Sequence, residues 1–185
     1  MRGQARHQDR RNEPNPYATR EDFINLFHED INGLYQLSFL LTGDHEKAER
    51  CFVAGIEVSV KENRVFREWA RSWAKRVIVA NAIRELKPHP SLPRSSPSAT
   101  GFSPSEKSSG SGGHFDLETV LRLGDFERFV FVMSVLENYS HRECALLLGC
   151  SVWEIRQARH HALEELASSK QTQEVDATRD EATIS

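Results

Sequence analysis

Large apolar residues recur along most of this chain at three- and four-residue steps, the spacing of one face of an α-helix. From Thr19 onward, Phe23, Leu26, Phe27, Ile31, Leu34, Leu37 and Leu41 follow that spacing until Thr42-Gly43-Asp44 breaks it, with Asp44 placed to cap the next helix. A second segment, over 45–61, puts Ala48, Cys51, Phe52, Ile56 and Val60 on one side. A third, from 65 to about 86, aligns Phe66, Trp69, Trp73, Val77, Ala80 and Ile83, and Pro88 stops it. Together these predict a three-helix unit over 19–87. Periodicity returns with Phe115, Leu117, Val120, Leu121 and Leu123, is interrupted at Gly124-Asp125, and resumes with Phe126, Phe129, Val130, Met133 and Leu136.

The segment 140–166 spells two capped helices around a turn. Ser140-His141-Arg142-Glu143 and Ser151-Val152-Trp153-Glu154 both have the S-x-x-E form of a capping box, in which serine and glutamate satisfy each other's backbone N–H groups. Gly149 lies between them, where a helix end most readily turns left-handed. Ala145, Leu148, Ile155, Ala162 and Leu166 supply a buried seam. Two short helices around such a turn form a helix-turn-helix, whose second helix enters the DNA major groove. An ordinary helical hairpin that binds nothing is the bland alternative.

The fold expected is therefore all-α, with two small helical domains. What separates them is a shift in composition: 18 of the 26 residues in 88–113 are Pro, Ser or Gly, too few apolar groups to offset ordering, so a flexible linker is expected there. Residues 1–18 and the acidic 168–185 are expected as disordered tails, and 114–167 as the second domain. The balance of 38% hydrophobic and 28% charged residues is that of a soluble globular protein. No apolar run approaches membrane-spanning length, and the arginine-rich start lacks the apolar stretch of a secretory signal, so no membrane insertion and a cytoplasmic location are expected. Three cysteines without paired spacing suit a reducing compartment.

A net charge of −3 hides a local reversal. Between Arg64 and Lys87 there are seven basic residues (Arg64, Arg67, Arg71, Lys75, Arg76, Arg84, Lys87) against Glu68 and Glu85. Arg64, Arg67, Arg71 and Lys75 recur at helical steps, so one face could track a phosphate backbone. Trp69 and Trp73, one turn apart, are either core residues or platforms for unpaired bases. In the second domain, Trp153, Arg156, Gln157 and His160, with His161 beside them, fall on the exposed side of the recognition-like helix. Arg reads guanine and Gln reads adenine. Asp116, Glu118, Asp125, Glu127 and Glu137 make that domain acidic, so alone it should bind DNA weakly.

Other chemistries find little support. His141-x-x-Cys144 with Cys150 and His160 or His161 lacks the paired spacing of a zinc site, and adjacent histidines point about 100° apart on a helix. Cys144 and Cys150 read more simply as small buried apolar residues. There is no P-loop, dinucleotide turn, metalloprotease helix or nucleophile elbow, so neither an enzyme nor a cofactor is expected.

The run Leu34-Tyr35-Gln36-Leu37-Ser38-Phe39-Leu40-Leu41-Thr42-Gly43-Asp44, followed by Ala48-Glu49, resembles the opening of region 2 in the bacterial sigma-70 superfamily, specifically its extracytoplasmic-function type. Trp69, Trp73-Ala74-Lys75-Arg76, Asn81 and Arg84 resemble the end of region 2. Tyr139-Ser140, Glu143-Cys144-Ala145, Leu148-Gly149-Cys150-Ser151 and Ile155-Arg156 resemble region 4. Together the likeness covers roughly 20–87 and 116–167. It implies a transcription initiation factor that directs RNA polymerase core to promoter DNA, with an anti-sigma factor as a usual further partner. Trp69, Arg71, Trp73, Lys75, Arg76 and Arg84 would then meet the −10 element. Trp153, Arg156, Gln157 and His160 would meet the −35 element, with Arg142 on phosphate, and the surface around Glu49, Arg50 and Val53 would dock the polymerase. The chain departs from the family there: Arg50-Cys51-Phe52-Val53-Ala54-Gly55 stands where acidic and amide residues are usual, and Leu123-Gly124 replaces a frequent Leu-Pro. A helix-turn-helix regulator without polymerase, or a sigma-like protein-interaction module, remain the alternatives.

Overall fold

The computed structural model describes residues 15–61, 64–90 and 117–181. Most of the expected 88–113 segment, the first 14 residues and the last four lie outside them. Eight α-helices carry the described chain: α1 Arg20–Glu29, α2 Ile31–Thr42, α3 His45–Ser59, α4 Ala70–Leu86, α5 Leu117–Arg122, α6 Asp125–Phe131, α7 His141–Leu148 and α8 Val152–Glu181. A 3-10 turn at Arg67–Trp69 leads into α4, and a π-helical turn at Val132–Leu136 prolongs α6. The architecture is all-α; the only pairing of extended backbone among the described residues is an isolated bridge between Tyr17 and Phe66.

Three expectations about element bounds are corrected. The stripe from Phe23 to Leu41 is two helices, so the first unit has four α-helices rather than three. The break falls at Asp30, whose backbone leaves the helical region (φ −113°, ψ 29°) while still bonding Leu26 and Leu34. Aspartate competes with the helical ladder through its own side chain, and here that side chain folds over Gly33, where a Cβ would stand 2.5 Å from Asp30 Oδ1. The α-helix expected from 65 begins only at Ala70. Residues 64–66 run extended instead, because Ala18 N–H bonds Val65 O (2.7 Å), Arg67 N–H bonds Pro16 O (2.9 Å), and the Tyr17 ring stacks on Phe66 at 5.0 Å. Finally, α8 continues to Glu181 where a disordered tail was expected from 168. No Gly or Pro interrupts 151–181, so nothing in that stretch forces the helix to stop.

Helices α2, α3 and α4 close around Leu34, Leu41, Ala48, Ala74, Ile78 and Ala82, all at or near zero exposure. The α3–α4 crossing depends on Gly55, because a Cβ there would lie 2.9 Å from Ile78 Cγ1. We expect Gly55→Ala to overpack this crossing and cost about 1–3 kcal/mol, read as a lower denaturation midpoint in urea. An unchanged midpoint would mean that the helices separate freely.

The two helical sets share one core. Phe129, Val130, Val132 and Met133 from α6 and its π-turn join the same buried cluster as Leu34, Leu37 and Leu41 of α2. A buried cation fastens the α2 side of this contact. Arg128, 5% exposed, donates from Nε to Leu41 O (3.4 Å), from its terminal nitrogens to Thr42 O (3.5 Å) and Leu123 O (3.1 Å), and to the Asp125 carboxylate. The α2 carbonyls lie at a helix C-terminus, where the partial negative charge favours a guanidinium. Among the described residues, no helix is long and apolar enough to cross a membrane.

Candidate nucleic-acid interface

Helices α7 and α8 meet as the capping pattern requires. Ser140 Oγ accepts from Glu143 N–H (3.2 Å) while the Glu143 carboxylate accepts from Ser140 N–H (2.9 Å). Ser151 and Glu154 repeat the exchange at 3.2 and 2.7 Å. Gly149 is left-handed (φ 68°), and its N–H bonds Ala145 O. Nothing lies within 4 Å of a Cβ built there, so backbone conformation rather than space requires the glycine. The five expected seam residues are buried, joined by Cys144 and Ala158. Cys144 is fully buried, and burial pushes its thiol up to about 11. Its sulfur therefore belongs to the core.

With Ile155, Ala158 and Ala162 facing inward, Trp153, Arg156, Gln157 and His160 are exposed on α8, Trp153 at 68%. Arg142 is exposed on the first turn of α7. His161 is exposed as well, and His160 Nδ1 lies 3.2 Å from Glu164. Leu146, on α7, is 77% exposed, which the periodicity does not mark.

The basic stripe is arranged differently from expectation. Arg64 and Arg67 precede α4, so the four cations do not share one regular helical face. Three of them hold carboxylates drawn from elsewhere: Arg67 pairs with Asp22 (3.1 Å), Arg71 with Asp30, and Lys75 with Glu137 (2.7 Å). Arg71, Arg76 and Arg84 are exposed, and Lys75 is half-buried. The two tryptophans differ in exposure. Trp73 is half-buried against the cluster of Ala18, Phe23 and Ala70, its indole N–H buried without an acceptor. Trp69 is 58% exposed and meets Phe66 edge-on at 5.2 Å. Tyr17, Phe66 and Trp69 thus form a solvent-facing aromatic row beside Arg67 and Arg71. By pattern alone Phe66 belongs to the apolar stripe and Tyr17 to a tail; only the pairing of 16–18 with 65–67 reveals them.

On α3, Glu49, Arg50 and Val53 are exposed together. Arg50 is drawn back onto α4 by Glu85 (2.8 Å) and reaches Glu46 at 3.9 Å.

Residues 118–166 match the family described as Sigma-70, region 4. The matched segment contains the helix-turn-helix of α7 and α8. The match places the helix-turn-helix in a superfamily of DNA-binding transcription factors. None of the curated proteins searched matches the chain.

The carboxylates of the α7 and α8 caps tie the stability of this segment to pH. Glu143 and Glu154 are both held below their ordinary 4.5, chiefly by the serine hydroxyl and then the serine N–H. A carboxylate with a lowered folded-state pKa adds stability above its unfolded value, and that stability is lost as pH falls through the folded value. Ser140→Ala and Ser151→Ala should each cost about 1 kcal/mol at neutral pH. In thermal melts, the gap between each variant and the parent should narrow below pH 4.5. A gap that persists unchanged at about pH 3, well below the ordinary carboxylate value, would exclude a contribution from the carboxylate half of each box.

Proposed function

We propose that this protein is a sigma factor of the extracytoplasmic-function type, which directs RNA polymerase core to promoter DNA in the cytoplasm. The observation that carries the reading is the region 4 helix-turn-helix, with an apolar seam inside and Arg156, Gln157 and His160 outside. That is a shape and chemistry suited to a −35 major groove. Arg142 would hold the adjacent phosphate.

In this reading residues 19–87 act as region 2. Arg71, Lys75, Arg76 and Arg84 follow the backbone of the −10 strand, and Trp69 offers a stacking surface. Trp73, half-buried, lines the same cleft as Trp69 and is a second candidate contact. The face around Glu49, Arg50 and Val53 docks the polymerase. An anti-sigma factor would cover these same surfaces. No step is catalytic, and no cofactor enters.

The test is capture of core RNA polymerase by the purified chain, followed by run-off transcription on its own upstream DNA. Core binding with transcripts from a defined start site is expected. One observation favours a second reading: Arg50 is tied to Glu85 on the face where the family carries acidic and amide groups. Specific duplex binding without core capture would establish a helix-turn-helix regulator instead. Neither activity would leave a protein-interaction module.

A further inference from the structure

We propose that the cleft between the start of α4 and the start of α7 is a binding site for a free nucleoside phosphate. The cleft holds about 590 Å³, within the roughly 300–1,000 Å³ of small-molecule sites, and it lies where such sites commonly form, between packed helices. Its walls come from two distant stretches, 64–76 and 137–143. Aromatic rings supply faces for a planar base. Trp69, 58% exposed, lines the cleft from the turn that leads into α4, and half-buried Tyr139 lines it from the other stretch. The Tyr139 hydroxyl has no hydrogen-bond partner among the described residues, so it is available to a ligand.

Charge narrows the choice of ligand. Both carboxylates of the cleft are already engaged: Glu137 holds Lys75, and Glu143, near enough to feel Arg76, is held by Ser140 instead. Arg64 and Arg76 also line the cleft, are exposed, and make no ion pair among the described residues. A guanidinium meets a phosphate through a fork of parallel N–H bonds. Two such groups beside aromatic faces therefore suit a phosphate joined to a heteroaromatic base, and neither half alone would use every wall. Trp69 and Arg76 belong as well to the face proposed for the −10 strand. Resting on that reading, a free nucleotide in the cleft competes with the strand and so regulates its capture.

The experiment is calorimetric titration of the full chain with adenosine and guanosine 5′-monophosphate, with the two nucleosides and inorganic phosphate titrated as separate halves. At least one nucleotide should bind about tenfold or more tightly than either of its halves. Arg64→Ala and Arg76→Ala, both at exposed positions, should each weaken it about tenfold through loss of a charge-assisted bond. Tyr139→Phe keeps the ring, loses the hydroxyl and should weaken it about threefold. Trp69→Ala should weaken nucleotide and nucleoside about tenfold but leave inorganic phosphate unchanged. Arg122→Ala removes an exposed cation of α5 that does not line the cleft, and should behave as the parent. In a second arm, polarisation of a labelled single strand of about 12 nucleotides should fall as the nucleotide is added.

No nucleotide binding at about 1 mM would overturn the site, whatever the strand does. Binding no tighter than that of inorganic phosphate, or weakened equally by Arg122→Ala, would overturn it as well, leaving only general attraction between charges. A strand that binds through Trp69 and Arg76 while free nucleotides do not would overturn it and give the cleft to the strand. Nucleotide binding that is lost in Arg76→Ala yet leaves the strand undisturbed would uphold the site and remove α4 as the strand's face.

Discussion

Replacing Arg156 and Gln157 together with alanine should weaken binding to the preferred duplex by roughly 30- to 10⁴-fold, about 1–3 kcal/mol for each base no longer read. Both side chains are exposed, while Ile155 and Ala158 beside them are buried, so the substitution removes recognition without opening the seam. Alanine is also the best helix former, which leaves α8 intact. The duplex is found first by selecting bound sequences from a random pool, and affinity is then measured by polarisation at several salt concentrations. Arg142→Ala provides the contrast. As a phosphate-binding group it should weaken all sequences alike and lower the salt slope by about 1. If the double variant retains its preferred sequence and its affinity, base reading by α8 is wrong.

Arg128→Ala should lower the stability of the whole chain by about 2–4 kcal/mol, since it leaves buried carbonyl groups without donors and opens a void where the helical sets meet. Lysine should not restore it: one ammonium cannot reach the Leu41, Thr42 and Leu123 carbonyls from a single point, as the planar guanidinium does. Denaturant melts of the three proteins decide the matter. A loss below about 1 kcal/mol, or full rescue by lysine, would remove Arg128 from its role as the fastening between α2 and α6.

What the sequence reveals and what it hides divide along a physical line. The helix-turn-helix is legible because its determinants are local: two capping boxes, one left-handed glycine and a seam at helical spacing, all within 27 residues. The all-α class is legible for the same reason. The break at Asp30 is hidden because the apolar stripe runs on through it, and only the fold of its side chain over Gly33 marks the turn. The cations of α4 are legible as charge but not as ion pairs, since Asp30 and Glu137 approach from 41 and 62 residues away. Arg128 is invisible to any apolar-and-polar pattern. Arginine is almost never buried unless paired, and beside the local Leu123 and Asp125 two of the carbonyls that pair it lie 86 and 87 residues upstream. The unequal exposure of Trp69 and Trp73 likewise depends on what packs beside each ring.

The short bridge of Pro16–Ala18 to Val65–Arg67 has a practical consequence for anyone shortening this protein. The helical pattern suggests Thr19 as a natural place to begin, and every α-helix would survive that cut. Yet the cut would remove Tyr17, which backs Phe66, and the Pro16 carbonyl and Ala18 amide that bond Arg67 and Val65 on either side of it. A chain trimmed there would keep its helices and lose the shape of the aromatic row. Its poor performance on single strands would then reflect where it was cut, not what the protein does.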